Sequence, residues 1–109
     1  MELSEKKCIP CEGGIPKLTK IQINKYNSEL RKPWMIIDKI KIAKEFNFNN
    51  YRDTIKFVNK VAEIAENEGH HPVLLVSFSK VEVYLWTHSI TGLSENDFIL
   101  ASKIDEIYL

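Results

Sequence analysis

The sequence predicts an α+β fold: a four-stranded antiparallel sheet covered on one face by three helices, in the order α-β-β-α-β-β-α. Three observations carry that expectation. Two pairs of β-rich segments follow one another across short connections, which suits antiparallel hairpins and is too short for parallel crossovers. Three other segments space their apolar residues by threes and fours, the period of an amphipathic helix. Each such helix has one stripe to bury, and a sheet with one apolar face can receive all three.

The first helix lies within residues 18–30, where Leu18, Ile23, Tyr26 and Leu30 form the stripe, Thr19 is a candidate N-cap and Pro33 ends the segment. Residues 34–38 and 39–48 read as two strands joined by a hairpin near Asp38-Lys39, the second alternating Ile40 and Ile42 with Lys39 and Lys41. Asn49 or Asn50 caps a long helix from Tyr51, with its apolar face expected at positions 51, 55, 58, 62 and 65 and its end at Gly69. Residues 73–78 read as a buried strand, and residues 81–87 alternate apolar with polar. Finally, Ser94-Glu95-Asn96-Asp97 has the form of a capping box with aspartate in the last place, opening a helix with apolar residues at 98, 101, 104 and 108.

At 109 residues the chain has room for one core and a single site. Its 15 basic and 15 acidic side chains leave no net charge, so no overall field favours nucleic acid or an anionic membrane. The balance hides a mild asymmetry: residues 1–54 hold 11 basic and 7 acidic side chains and residues 55–109 hold 4 and 8, giving +4 and −4, a weak hint of contact between subunits. The first seven residues lack the apolar run of a secretory signal, and the uncharged stretches at residues 69–79 and 83–94 are little more than half the roughly 20 residues a spanning helix needs. The expected location is the cytoplasm, where Cys8 and Cys11 would not form a structural disulfide. Their CxxC spacing suits a redox dithiol or half a zinc site. No second pair completes a zinc shell, however, and a Gly/Pro loop follows where a thioredoxin-type motif would open a helix. The pair is read as a packed or frayed feature of an N-terminal extension over residues 1–17, with one domain over 18–109.

All three histidines, His70, His71 and His88, fall within 19 residues. A hairpin turning about Ser79-Lys80 would oppose positions summing to 159, which pairs His71 with His88 at Cβ separations of about 4.5–5.5 Å. The same register sorts the faces. Pro72, Leu74, Val76 and Phe78 fall with Val81, Val83, Leu85 and Thr87 under the helices. His71, Val73, Leu75 and Ser77 fall with Glu82, Tyr84, Trp86 and His88 on an aromatic, titratable face suited to a flat, polar-edged ligand. Pro72 holds His71 extended, Glu66 reaches back toward the imidazoles, and Asp97 either orients His88 or caps the last helix. A His-His dipeptide at a strand start is also a common polar junction. A zinc shell of His70, His71, His88 and Glu66 is disfavoured, because an extended dipeptide aims its side chains to opposite faces.

Glu66-Asn67-Glu68-Gly69-His70-His71-Pro72, then Phe78, Thr87-His88, Gly92-Leu93-Ser94-Glu95-Asn96-Asp97 and Ala101, closely resembles the pterin-4a-carbinolamine dehydratase family. Trp34 and Phe46-Asn47-Phe48 extend the resemblance to about residues 18–107. It implies a helix-covered four-stranded sheet assembled as a homodimer or homotetramer. It also implies loss of water from a 4a-hydroxytetrahydropterin to give a quinonoid dihydropterin, with no metal or organic cofactor, serving an aromatic amino acid hydroxylase. His70, His71 and His88 match the family's catalytic set; the expected division has His70 and His88 flanking the 4a centre as acid and base, with His71 positioning the pterin and sharing proton transfer. Glu66, Gly69, Trp86, Thr87, Ser89 and Asp97 match its substrate-contacting positions. Two other readings come with the same resemblance: a dimerisation partner of a transcription factor, and a pterin-binding protein of molybdopterin metabolism. Asn96 stands where many members have arginine, and Gly69 where several have aspartate; loss of the guanidinium implies a changed contact to the substrate's polar edge.

Overall fold

The computed structural model describes residues 2–10 and 15–108. Helix α1, Lys20–Glu29, is opened by Thr19 in a full capping box: the Thr19 hydroxyl accepts from the Gln22 amide and the Gln22 side chain accepts from the Thr19 amide. Ile23 and Leu30 face the core, and Tyr26 packs against it. Near the end of α1, buried Asn27 pairs both backbone groups of Trp34 at 2.9 Å each, turning the Pro33 corner inward and delivering Trp34 to the core.

Strands β1 (Met35–Ile37) and β2 (Lys41–Asn47) form the first hairpin. Asp38 and Lys39 both take left-handed conformations, φ 50° and 59°, and the Ile40 amide donates to Ile37 O, so the turn lies where expected. Helix α2, Tyr51–Glu68, starts at Asn50, whose side chain accepts from the Asp53 amide, and stops at Gly69 with φ 67°. Its buried face is Thr54, Phe57, Val61 and Ala65; of the expected positions, 65 is buried, 55 and 58 are half-buried, and 51 and 62 are exposed. The reason for the difference is Thr54, which counts as polar in a hydropathy pattern. Its hydroxyl lies between Asn50 O and Phe78 O, at 2.9 and 3.1 Å, and that satisfaction lets it sit fully inside. Tyr51 is left outside, stacked on exposed Phe78.

Strands β3 (Val73–Val76) and β4 (Lys80–Leu85) complete an antiparallel sheet of order β1-β2-β4-β3. Their register corrects the expectation: Val73 faces Tyr84 and Val76 faces Val81, a sum of 157 instead of 159, so His71 does not pair with His88. The turn closes one residue earlier because the Ser77 amide and hydroxyl both donate to Lys80 O, while Phe48 N–H and the Thr54 hydroxyl hold Ser79 O and Phe78 O. A shift of two leaves every side chain on its assigned face. Val81, Val83, Leu85 and Thr87 are buried, although Val76 and Phe78, at the turn, extend past the helices and are exposed.

Helix α3, Glu95–Tyr108, lies in the core layer with Phe98, Ala101 and Ile104 buried as expected. Tyr108 is partly exposed but packs its ring on Phe46, Phe48 and Phe57. Ahead of α1, a 3-10 turn at Leu3–Glu5 buries Leu3 in the same core, and residues 3–9 cross α3 toward the end of α2. None of the helices among the described residues is long and apolar enough to cross a membrane.

Candidate functional site

The three histidines emerge from two short connections with different backbone controls. At the end of α2 the His70 amide donates to Ala65 O while Gly69 turns left-handed, a closure only a residue without Cβ adopts cheaply. The chain then enters Pro72, which keeps His71 extended. These two constraints send the adjacent imidazoles in different directions. His70 goes inward and is 5% exposed; His71 stays outside with its side chain 61% exposed.

Inside, His70 Nε2 lies 2.6 Å from Asp97 Oδ1, and Asp97 itself is fully buried. The other carboxylate oxygen accepts from the Thr87 hydroxyl at 2.9 Å and from the Ser94 amide at 3.0 Å. Because the Thr87 proton is committed to Asp97, the Ser94 hydroxyl donates to Thr87 Oγ1 across 2.7 Å. An ionised carboxylate only accepts, so Nε2 of His70 carries the proton. Asp97 therefore caps α3, as half of the expected box, and orients His70, where the sequence pointed to His88. The Ser94 hydroxyl, which the box assigns to its own helix, serves Thr87 instead.

Outside, His71 Nε2 meets Glu66 Oε1 at 2.6 Å, one turn back on α2. Carrying the β3–β4 register two residues past its last pair sets position 71 across from Trp86. Trp86 holds the centre of this outer edge: His88 lies on its ring at 4.3 Å, and the Lys41 ammonium stands 4.5 Å from its centroid. His88 opens a 3-10 turn, His88–Ile90, that also carries exposed Ser89. This loop is closed by the Thr87–Gly92 bridge and a left-handed Thr91 at φ 46°. Lys41 escaped the sequence reading, although its place in the alternation of β2 puts it on the outer face and the β2–β4 register sets it across from position 86.

The structure thus groups Glu66, His71, Trp86 and His88 at one end of the outer sheet face, with Ser89 beside them, while Gly69 shapes the turn and His70, Thr87 and Asp97 form the buried layer behind. The imidazoles turn to different partners. Among the described residues no three His, Cys, Asp or Glu side chains converge in the manner of metal ligands. A cavity of about 530 Å³ lies elsewhere, between Leu3, Leu30, Arg31 and Asp105. The histidine end is an open shelf, with His71, His88 and Ser89 exposed.

Of the two cysteines, Cys11 lies outside the described residues. Cys8 is half-buried against the core, and burial first, then the nearby Glu68 and Asp97 carboxylates, push its thiol up to about 12. A thiol so held is protonated at neutral pH and a poor nucleophile.

Residues 16–107 match the family model described as pterin 4 alpha carbinolamine dehydratase. A relative from Rickettsia canadensis (strain McKiel) is 50% identical over 103 residues, 94% of each chain. One from Alkaliphilus metalliredigens (strain QYMF) is 44% identical over 104 residues, 95% of this chain and 94% of its own. Both carry the provisional name pterin-4-alpha-carbinolamine dehydratase. A crystal structure from Brucella melitensis, titled a transcriptional coactivator/pterin dehydratase, superposes with a TM-score of 0.81 at 29% identity, over 86% of this chain and all of that one.

Proposed function

Since the chain belongs to the pterin carbinolamine dehydratase family, we propose that it is a hydro-lyase that removes water from a 4a-hydroxytetrahydropterin to give the quinonoid dihydropterin. The observation that carries this reading is the shelf of Glu66, His71, Trp86 and His88, two solvent-facing imidazoles about an aromatic ring. A flat pterin stacks on such a ring, and Lys41 adds a cation at the same edge.

The reaction needs two proton movements. A proton reaches the 4a-oxygen, which leaves as water with the C4a–O bonding electrons. The N5–H proton is taken by a base, and the N5 electrons form the C4a=N5 double bond. Imidazole titrates near neutral pH, so one histidine can act as the acid while another acts as the base, each contribution worth roughly 10²–10⁴ in rate. His71 and His88 are the two imidazoles that open to solvent on the shelf, and Glu66 holds His71 in place. His70, committed through Nε2 to Asp97, fixes the turn from which His71 projects. This division moves the acid and base from the His70 and His88 expected above to the exposed pair. Glu66, Trp86 and Ser89 are the proposed substrate contacts, with Gly69, Thr87 and Asp97 supporting them from behind.

In the cell the product would return pterin to the cycle of an aromatic amino acid hydroxylase in the cytoplasm. Exposed Met35, Val73 and Leu75 on the outer sheet face support assembly as a homodimer or homotetramer. A stopped-flow absorbance assay on chemically generated 4a-hydroxytetrahydropterin tests the activity: acceleration over buffer is expected, and none would end the dehydratase reading.

A further inference from the structure

The amino-terminal segment with its cysteine pair has no place in the reaction just proposed, yet it is attached with unusual economy. Asn96, 1% exposed on the first turn of α3, pairs both backbone groups of one residue of that segment. Its Oδ1 accepts from Ile9 N–H at 2.9 Å and its Nδ2 donates to Ile9 O at 2.7 Å, in the manner of a neighbouring strand. One residue earlier, the Cys8 amide donates to Glu68 Oε1 at 2.8 Å, at the last residue of α2. The Cys8 thiol packs over Asn96 O at 3.6 Å. Further links run alongside: Lys103 of α3 donates to Ser4 O at 2.8 Å and lies 3.7 Å from Glu68, and Lys6 pairs with Glu95 at 2.8 Å.

What is gripped matters more than the number of grips. Asn96 immediately precedes Asp97, and Glu68 stands two residues before His70. Residues 8 and 9 therefore hold, from outside, the two helix ends whose separation sets the 2.6 Å contact between His70 and Asp97. No direct backbone bond between the end of α2 and the start of α3 does this job among the described residues. We propose that Cys8, Ile9 and Asn96 form a clasp that sets the spacing of the His70–Asp97 pair, and that Asn96 is a positioning residue for the proposed dehydration. The inference rests on the dehydratase reading for its kinetic part only. It also accounts for an asparagine where the family resemblance suggested an arginine to the substrate: this side chain points to the segment and not to the shelf. Cys8 in this account is an anchor, kept protonated by its burial.

The clasp can be opened from either side. Asn96→Ala removes both bonds, and Ile9→Pro removes the amide donor while leaving Asn96 intact. Ile9→Ala is the control, because the Ile9 side chain is 58% exposed and the bonds run through its backbone. Two quantities are read on the full chain. The first is kcat and KM with 4a-hydroxytetrahydropterin. The second is the low-field proton resonance of the His70 Nε2–H, slowly exchanging because the pair is buried. Asn96→Ala and Ile9→Pro are expected to lower kcat on the order of tenfold with KM within about twofold, and to broaden or move the resonance, since a small misplacement of a positioned group costs rate more than binding. Ile9→Ala should match the parent protein in both. The clasp is overturned if both opened variants keep the resonance in place, or if KM rises while kcat holds. An inactive parent protein defeats the dehydratase reading alone, and the resonance then decides the clasp by itself. Should Asn96→Ala fail to fold, Ile9→Pro, altered in the outer segment only, carries the test.

Discussion

Two histidine–carboxylate pairs stand at one end of this molecule, both with a 2.6 Å contact, and they are not equivalent. His70–Asp97 is almost wholly enclosed, 6% and 0% exposed, whereas His71–Glu66 is 61% and 78% exposed. The distances are the same; the solvent is not. In the enclosed pair Asp97 has traded water for His70, Thr87 and Ser94, so each donor is needed and the loss of the acceptor strands three groups at once. In the open pair water replaces whatever is removed, and an exposed pair of this kind contributes about 0–1 kcal/mol. Adjacent residues in the sequence have therefore been given different settings, one buried in the structure and the other facing solvent, by a left-handed glycine before them and a proline after.

The largest expected effect is on the buried side. Asp97→Ala should cost about 3 kcal/mol or more in urea unfolding, since each of the three buried donors left without an acceptor costs about 1–3 kcal/mol, and should abolish dehydration. A cost below about 1 kcal/mol would make the two pairs energetically alike and break the comparison. The neighbouring Cys8 gives a pH signature of the same enclosed region. Its thiol is held above its ordinary value of 9, at about 12 in the folded chain, so the unfolded chain loses that proton first. The Cys8 contribution is thus fully present below pH 9 and is lost as the pH rises from 9 through 12. Removing the thiol with Cys8→Ala should flatten that part of the unfolding curve, and an unchanged curve would place Cys8 in solvent. On the open side, Glu66→Gln should leave the melting temperature within about 4–5 °C of the parent, since an exposed pair is worth at most about 1 kcal/mol. Its dehydration rate should drop only several-fold. A stability loss matching that of Asp97→Ala would show that exposure does not separate the pairs.

Most of the fold was legible from local chemistry. Thr19 and Asn50 cap the helices they were assigned, Gly69 ends α2, and the alternation of residues 81–87 gave the buried face of β4. What local pattern could not decide was set by distant groups. Registers of 157 and 159 place the same residues on the same faces, so hydropathy is blind to the choice; it was made by Thr54 and Phe48 capturing the turn carbonyls. The stripe of α2 was misplaced for a related reason, because Thr54 counts as polar until its two acceptors are known. At the site, the three histidines and Glu66 were visible as a cluster, and the single carboxylate of Asp97 with two duties was in view. Its partner was not, because the turn at Gly69 decides which histidine faces inward. The Asn96 attachment to Ile9 spans 87 positions and leaves no mark in either segment alone.

The division between the two pairs rests on His71 doing chemistry without holding the fold, and one substitution tests it directly. The dehydration rate of His71→Ala on 4a-hydroxytetrahydropterin, measured on protein whose melting curve matches the parent, should be lower by about 10² or more, the worth of a positioned proton-transfer group. A variant that dehydrates as fast as the parent would contradict the account.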